Sequence, residues 1–268
     1  MVPAPTMTLA TDLLVLLCGG VLAGMVGGLL GVGGGVVLMP LLRFGVGLPT
    51  VQAAGTCIVA VFFTTLGGSY RHHRLGHVRW RAMVPVMVTG AAATVVFSVL
   101  FHALATRQRW LDLGIGLVFS LIAARMVGEA LPRRRRPREA GGDPTTPPTP
   151  WTKPAIGVAA GALPGLLGIG TGVVLVPAFT LVLGLGIKTA MGCSLACFCC
   201  NALISSAFKL AQGFVVLDVA LPVCLGTLLG ANLGALANKR LAAAWVRLLF
   251  AALFTYVAFK FILLFAGG

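Results

Sequence analysis

Gly28-Leu29-Leu30-Gly31-Val32-Gly33-Gly34-Gly35-Val36-Val37-Leu38-Met39-Pro40 returns 137 positions later as Gly165-Leu166-Leu167-Gly168-Ile169-Gly170-Thr171-Gly172-Val173-Val174-Leu175-Val176-Pro177. Ten of the thirteen positions are identical, and the differences are Val32/Ile169, Gly34/Thr171 and Met39/Val176. The register continues without a gap, matching Gly47 to Gly184, Gly55 to Gly192, Ser69 to Ser206, Gly76 to Gly213 and Pro85 to Pro222. A repeat of this length makes the chain two related halves, each interrupted by a glycine-rich break.

Composition says where these breaks must sit. The chain is 58% hydrophobic and 10% charged, against about 25% charged in a soluble protein. Met83 to Phe101, Leu111 to Val127, Val219 to Ala237 and Val246 to Phe265 approach or reach the ~20 residues that span hydrocarbon. An all-α polytopic membrane protein follows. The alternating ten-residue segments of a β-barrel are absent. The net charge of +14 does not point to nucleic acid, because the Lys and Arg gather in short loops that orient a membrane chain. The seven cysteines lie in apolar stretches and imply no disulfide framework. The segment from Leu9 lacks a basic n-region and a cleavage site, so it reads as a retained membrane segment.

In chain order, residues 9–130 form a first membrane repeat, 131–153 a flexible linker and 154–266 a second repeat. The first repeat opens with Leu13 to Leu30, the break, and a short piece from Val36 to Phe44. The pair reads as a broken or re-entrant helix hairpin. Three spans follow: Val51 to Gly68, Met83 to Phe101 and Leu113 to Val127. A basic loop carrying Arg71, His72, His73, Arg74, His77, Arg79 and Arg81 separates the first two. The linker holds Arg133 to Arg136 and a Pro/Thr-rich run, too polar to fold. The second repeat runs through the same plan. The basic loop and the basic linker share a side, which places both in the cytoplasm and the protein in the inner (plasma) membrane. This orientation puts Lys188, Lys239, Arg240 and Arg247 inside, and Lys209 and Lys260 toward the outside. Each hairpin returns the chain to the side it left and three spans follow, so the halves are expected to be inverted repeats, an architecture of secondary transporters.

Glycine at the break permits sharp turns and close backbone approach. It also leaves amides that lipid cannot satisfy, at several kcal/mol each. The pieces beginning at Val36 and Val173 present helix N-termini, which carry free N–H groups and about half a positive charge and suit an anion without any cationic side chain. Gly33, Gly34, Gly35 and Val36, with Gly170, Thr171, Gly172 and Val173, are therefore the candidate substrate-binding residues. The alternative is close helix packing, although packing alone does not require Gly-x-Gly-x-Gly with a proline five residues on in both halves. A dinucleotide fingerprint does not fit, since neither the G-x-G-x-x-G spacing nor a strand–helix alternation is present.

Thr56-Cys57 and Cys193-Ser194 superpose in the repeat and add small donors. Asn201 adds an amide that lipid would not tolerate unpaired. For all of these, helix–helix bonding stands beside ligand binding as a reading. Arg43, Arg71, His72 and Lys209 are candidate entrance charges, with topology-setting as the alternative. Cys197 and Cys200 share a helix face, which raises a thiol-redox protein as a rival function, but no thioredoxin-like pattern surrounds them. No metal site, cofactor or catalytic residue is expected, because the loop histidines lack a ligand set. Asp12, Asp112, Glu129 and Asp218 lie near segment ends, so no carboxylate proton relay crosses the membrane.

The doubled break followed by Pro40 or Pro177, with Gly55-Thr56-Cys57 and Gly192-Cys193-Ser194 downstream, resembles the TauE/SafE sulfite exporter family. The resemblance covers nearly the whole chain outside the linker. It implies export of sulfite, sulfoacetate or other organosulfonates by alternating access. An anion channel is the further alternative. The partners expected are a small anion and the bilayer, with a homodimer left open. The chain departs from the family pattern at Thr171, where the second copy loses a glycine, and in its Thr-Cys and Cys-Ser pairs.

Overall fold

In lipid a backbone must satisfy its own hydrogen bonds, and a helix does so within one segment. Apart from the turns that join them, the described residues of the computed structural model are helical throughout. The structure describes residues 9–130 and 151–237, with 255, 256, 259–261 and 263. The run from Arg133 to Arg136, the Pro/Thr-rich segment, Lys239, Arg240 and Arg247 lie outside them. The first half contains α1 (Leu9–Leu30), α2 (Gly35–Pro40), α3 (Thr50–Arg74), α4 (Trp80–Leu104) and α5 (Gln108–Ala130). The second contains α6 (Thr152–Leu167), α7 (Gly172–Pro177), α8 (Ile187–Ala211) and α9 (Leu217–Ala237). Helices α3, α4, α8 and α9 are long and apolar enough to cross a membrane.

The short helices α2 and α7 each run on into a π-helical turn, Leu41–Gly45 and Ala178–Val182. Pro40 and Pro177 end the α-helical part. Proline has no N–H to give the preceding turn, and the next turn widens, bonding Val46 N–H to Leu41 O and Leu183 N–H to Ala178 O. Each outgoing piece is thus continuous for eleven residues, as Gly35–Gly45 illustrates. In the first half it folds back along α1. A Cβ on Gly34 would meet Ala23 O at 2.6 Å, and one on Gly19 would meet the Leu41 side chain at 2.5 Å. The two pieces of the first half therefore form a hairpin.

Helix α3 extends past the expected end of its span, so Arg71 to Arg74 form its last turn and not a loop. Cations there sit against the carbonyl end of the helix dipole, which favours continuing the helix through them.

Packing couples the halves by exchange. Helix α1 packs chiefly on α9 of the other half, and α6 packs on α4. Gly20, Gly24 and Gly28 of α1 lie against the backbone of Val223, Thr227 and Ala231, while Gly157 and Gly161 of α6 lie against Val86 and Gly90. The contacts of Gly20 and Gly24 recur at Gly157 and Gly161, displaced by the repeat. Hydrogen bonds exchange in the same way: Val216 N–H donates to Thr56 Oγ1 (3.1 Å), and Arg79 N–H donates to Cys193 Sγ (3.3 Å). Small residues at every fourth position let these backbones touch, which is how apolar helices associate when lipid supplies no hydrophobic drive. Leucines 217, 221, 225, 229 and 233 of α9 point outward, as do Val84, Val88, Val95, Val96 and Val99 of α4. Such faces would aggregate in water and are at home in hydrocarbon.

A side chain at these crossings forces the helices apart. Gly24→Val and Gly161→Val should each destabilise the protein by about 1–3 kcal/mol, and by similar amounts because the two positions are equivalent. Thermal melts of the purified protein in detergent check this.

Candidate functional site

The two breaks meet. A Cβ on Gly35 would lie 2.9 Å from Gly170 N, and Cβ atoms on Gly170 and Gly172 would overlap the backbone of Val32 and Gly31. The crossing is therefore backbone against backbone, and residues 33–36 and 168–172 are buried. Flanking contacts keep to the repeat: Gly31 abuts Met191, and Gly168 abuts its counterpart Ala54. The Phe198 ring, fully buried, stands beside both Gly33 and Gly170.

The breaks turn differently. Gly31, Gly33 and Gly34 all have positive φ (71°, 83° and 74°), whereas the second break uses only Gly168, at 65°. Gly34 has no room for a side chain and the wrong backbone for one. Thr171, its counterpart, has φ −88° and tolerates a Cβ. This explains the lost glycine of the second copy as a change in turn geometry.

Polar groups converge on the crossing without pairing. Among the described residues, none accepts a hydrogen bond from the amides of Gly34, Gly35, Val36, Gly170 or Gly172. Gly34 and Thr171 stand at the N-caps of α2 and α7 with no side-chain cap bond. The Thr171 hydroxyl is fully buried and has no partner. Val36 is buried beside Gly35, and Val173 comes after Gly172 in the first turn of α7, its side chain lying outside the described residues.

The small donors divide. Cys57 Sγ lies 3.6 Å from Gly35 O and Ser194 Oγ lies 3.3 Å from Gly31 O, so both reach the breaks, but as donors to carbonyls. Thr56 and Cys193 instead accept the loop amides of Val216 and Arg79. Asn201 is buried with Oδ1 unpaired, and its amide faces Gly90 where α6 crosses α4. Cys197 and Cys200 turn toward α4, placing their sulfurs 3.7 Å from Met83 O and 3.5 Å from Met87 Sδ. Both are free thiols.

Two expected entrance charges are not at an entrance. Lys209 is 0% exposed and His72 is 3% exposed. The Lys209 amine, placed by the sequence toward the outside, turns inward to the carbonyls of Pro164 and Gly165 (3.1 and 2.9 Å). These carbonyls lack helical partners because the break ends α6. His72 turns to His77, with 3.3 Å between their Nδ1 atoms. Arg71 is half-buried in the last turn of α3. Arg43 is tied to its own loop, donating from Nη1 to Leu48 O (3.0 Å). Sequence reasoning missed Phe198 and the Lys209 cap. A span-length apolar helix with a lysine in its last turn and no acid along its length was the available signal for the second.

The pattern of the TauE/SafE sulfite exporter family matches residues 16–261. The chain belongs to the TauE/SafE sulfite exporter family. It is 32% identical over 236 residues to a probable membrane transporter protein of Xylella fastidiosa (strain Temecula1), covering 87% of each chain. It is also similar to the probable membrane transporter protein YdhB of Bacillus subtilis, with 27% identity over 80% of this chain and 85% of that one. A probable membrane transporter protein of Haemophilus influenzae is 29% identical over 70% and 69% of the two chains. No solved structure matches significantly. The protein is a multi-pass membrane transporter of this family.

The difference between the two turns has a measurable consequence. Gly34→Ala combines a left-handed backbone with a clash against Ala23 O, and should cost about 2 kcal/mol or more. Thr171→Ala should stay within about 1 kcal/mol of the parent. Melting temperatures of the two variants, compared with the parent, check this.

Proposed function

We propose that this family member exports small sulfur-containing anions, with sulfite, sulfoacetate and other organosulfonates as the substrate class, from the cytoplasm across the inner membrane. The observation that carries the reading is the meeting of the two breaks: amides with no acceptor among the described residues, and the unpaired Thr171 hydroxyl, come from both halves to a buried place. Donors without partners in lipid cost several kcal/mol each, and an oxyanion with three acceptor oxygens answers several of them together. Among the described residues, no carboxylate lies at the crossing. The described Asp112 side chain accepts from Thr50 Oγ1 at 2.5 Å, and Asp218 is an exposed residue at the start of α9.

Alternating access between two inverted halves supplies the motion. The exchanged packing of α1 on α9 and α6 on α4 supports two interlocked bodies that rock about the crossing, with Arg71 to Arg81 and the linker on the cytoplasmic side. The driving force is at hand, since the inside-negative potential favours anion exit by about 2.3 kcal/mol per charge per 100 mV. Obligatory proton coupling is not part of the reading, and neither is catalysis or thiol redox chemistry.

Proteoliposomes loaded with labelled sulfoacetate or sulfite test this. Efflux driven by a potassium diffusion potential is expected at equal pH on both sides, with saturable counterflow. Strict dependence on a pH gradient at fixed potential overturns uncoupled efflux, and non-saturable flux overturns a carrier in favour of a channel. A variant with all seven cysteines replaced by Ala or Ser should keep substantial transport; its loss, with folding intact, favours the thiol rival.

A further inference from the structure

The two arms of the crossing are not electrically equivalent. At each break an incoming helix ends in free carbonyls, with about half a negative charge, and an outgoing helix starts with free amides, with about half a positive charge. An anion at the break gains from one end and loses to the other. Preference for anions needs the carbonyl end neutralised.

In the first half, α1 closes its own end: Gly27 O accepts Val32 N–H at 3.2 Å, with Gly31 left-handed. The matching bond of the second half would join Ile169 N–H to Pro164 O, and it is not made. Pro164 O instead accepts Ser205 Oγ at 2.7 Å and Lys209 Nζ at 3.1 Å. Nζ also reaches Gly165 O (2.9 Å) and Ser205 Oγ (3.1 Å) and lies 4.2 Å from the centre of the Phe101 ring. Ser205 has one hydroxyl hydrogen, and it points at Pro164. All three oxygens around Nζ therefore accept, which takes three N–H groups. Lys209 Nζ, fully buried and without a carboxylate, thus donates three hydrogen bonds at the carbonyl end of α6, about one turn before the break. Its counterpart in the first half, His72, pairs with His77 and keeps Nε2 unpartnered. It brings no permanent charge to α1.

A second, independent feature separates the arms. Thr171 places a fully buried, unpaired hydroxyl at the start of α7, where the first half has Gly34 and no side chain.

We propose that the second break is the arm that takes the negative charge of the substrate oxyanion, with Thr171 donating to it and Lys209 setting the preference for anions through space. Lys209 is a positioning residue here, since its three N–H groups are committed to α6 and Ser205. The assignment rests on the anion-transport reading and names which half of that site carries it.

The full-length protein is titrated with sulfite and with sulfoacetate, following thermal stabilisation in detergent and counterflow in proteoliposomes. Lys209→Met and Thr171→Gly, the latter restoring the first-half residue, should each weaken apparent affinity about tenfold or more. Thr171→Ser should stay within about threefold of the parent. Lys188→Met removes an exposed cation and should leave affinity unchanged. A merely structural role would lower the melting temperature without moving the titration midpoint. An unchanged midpoint in Lys209→Met, or in Thr171→Gly, overturns that residue's part; an equal loss in Lys188→Met overturns the specific role of Lys209. Should Lys209→Met fail to fold, the Thr171→Gly and Thr171→Ser pair decides which arm takes the anion. If neither anion stabilises the parent, it is the anion-transport reading itself that fails.

Discussion

A helix interrupted inside a membrane leaves amides and carbonyls that no lipid can satisfy, and the architecture is a response to that cost incurred twice. The chain brings its two interruptions together. Their backbones touch because Gly35, Gly170 and Gly172 carry nothing that would hold them apart. The crossing lies within the core, walled by Phe198 and by α3 and α8. Carbonyls are answered from outside the breaks, by Ser194, Cys57, Ser205 and Lys209. Among the described residues, no acceptor answers the amides of Gly34, Gly35, Val36, Gly170 and Gly172.

The exchange of helices between halves comes from the same constraint. Two hairpins can meet at their tips only if each is held at a fixed height. Helix α1 is held along its length by α9, and α6 by α4, at crossings so close that only glycine fits. Such packing is rigid across each pair. In the alternating-access reading proposed above, each exchanged pair moves as a body and the breaks absorb the movement.

Much of this was legible in the repeat. The positions of the breaks, the prolines that end the short helices and the starts of the long helices are set by glycine, proline and apolar length. Which helix packs on which was not legible, because both halves present the same glycine stripe: Gly20, Gly24 and Gly28 could have faced either copy of the partner surface. The fate of the polar residues was equally hidden. Thr56 and Cys193 had the composition of ligands but serve loop amides, whereas Thr171, both a lost glycine and a candidate ligand in the sequence, carries the unpaired hydroxyl. Lys209 read as a surface charge because sequence alone does not say that a neighbouring helix ends within reach of its amine.

The asymmetry between the halves bears on why a duplicated transporter should drift from symmetry at all. A strictly two-fold site would oppose two identical half-charges across an anion, and would bind it equally in orientations that present either end. In the proposed assignment, the Lys209 amine behind one break and the Thr171 hydroxyl at its mouth give the charged end of the solute one preferred partner. The other break, lined by bare backbone, is left to accommodate the uncharged remainder of the solute. A sulfonate has such a polarity: a compact face of three oxygens sharing one negative charge, carried on a variable organic group. Under that assignment one arm reads charge and the other little else, so a single crossing would hold solutes alike at one end and different at the other.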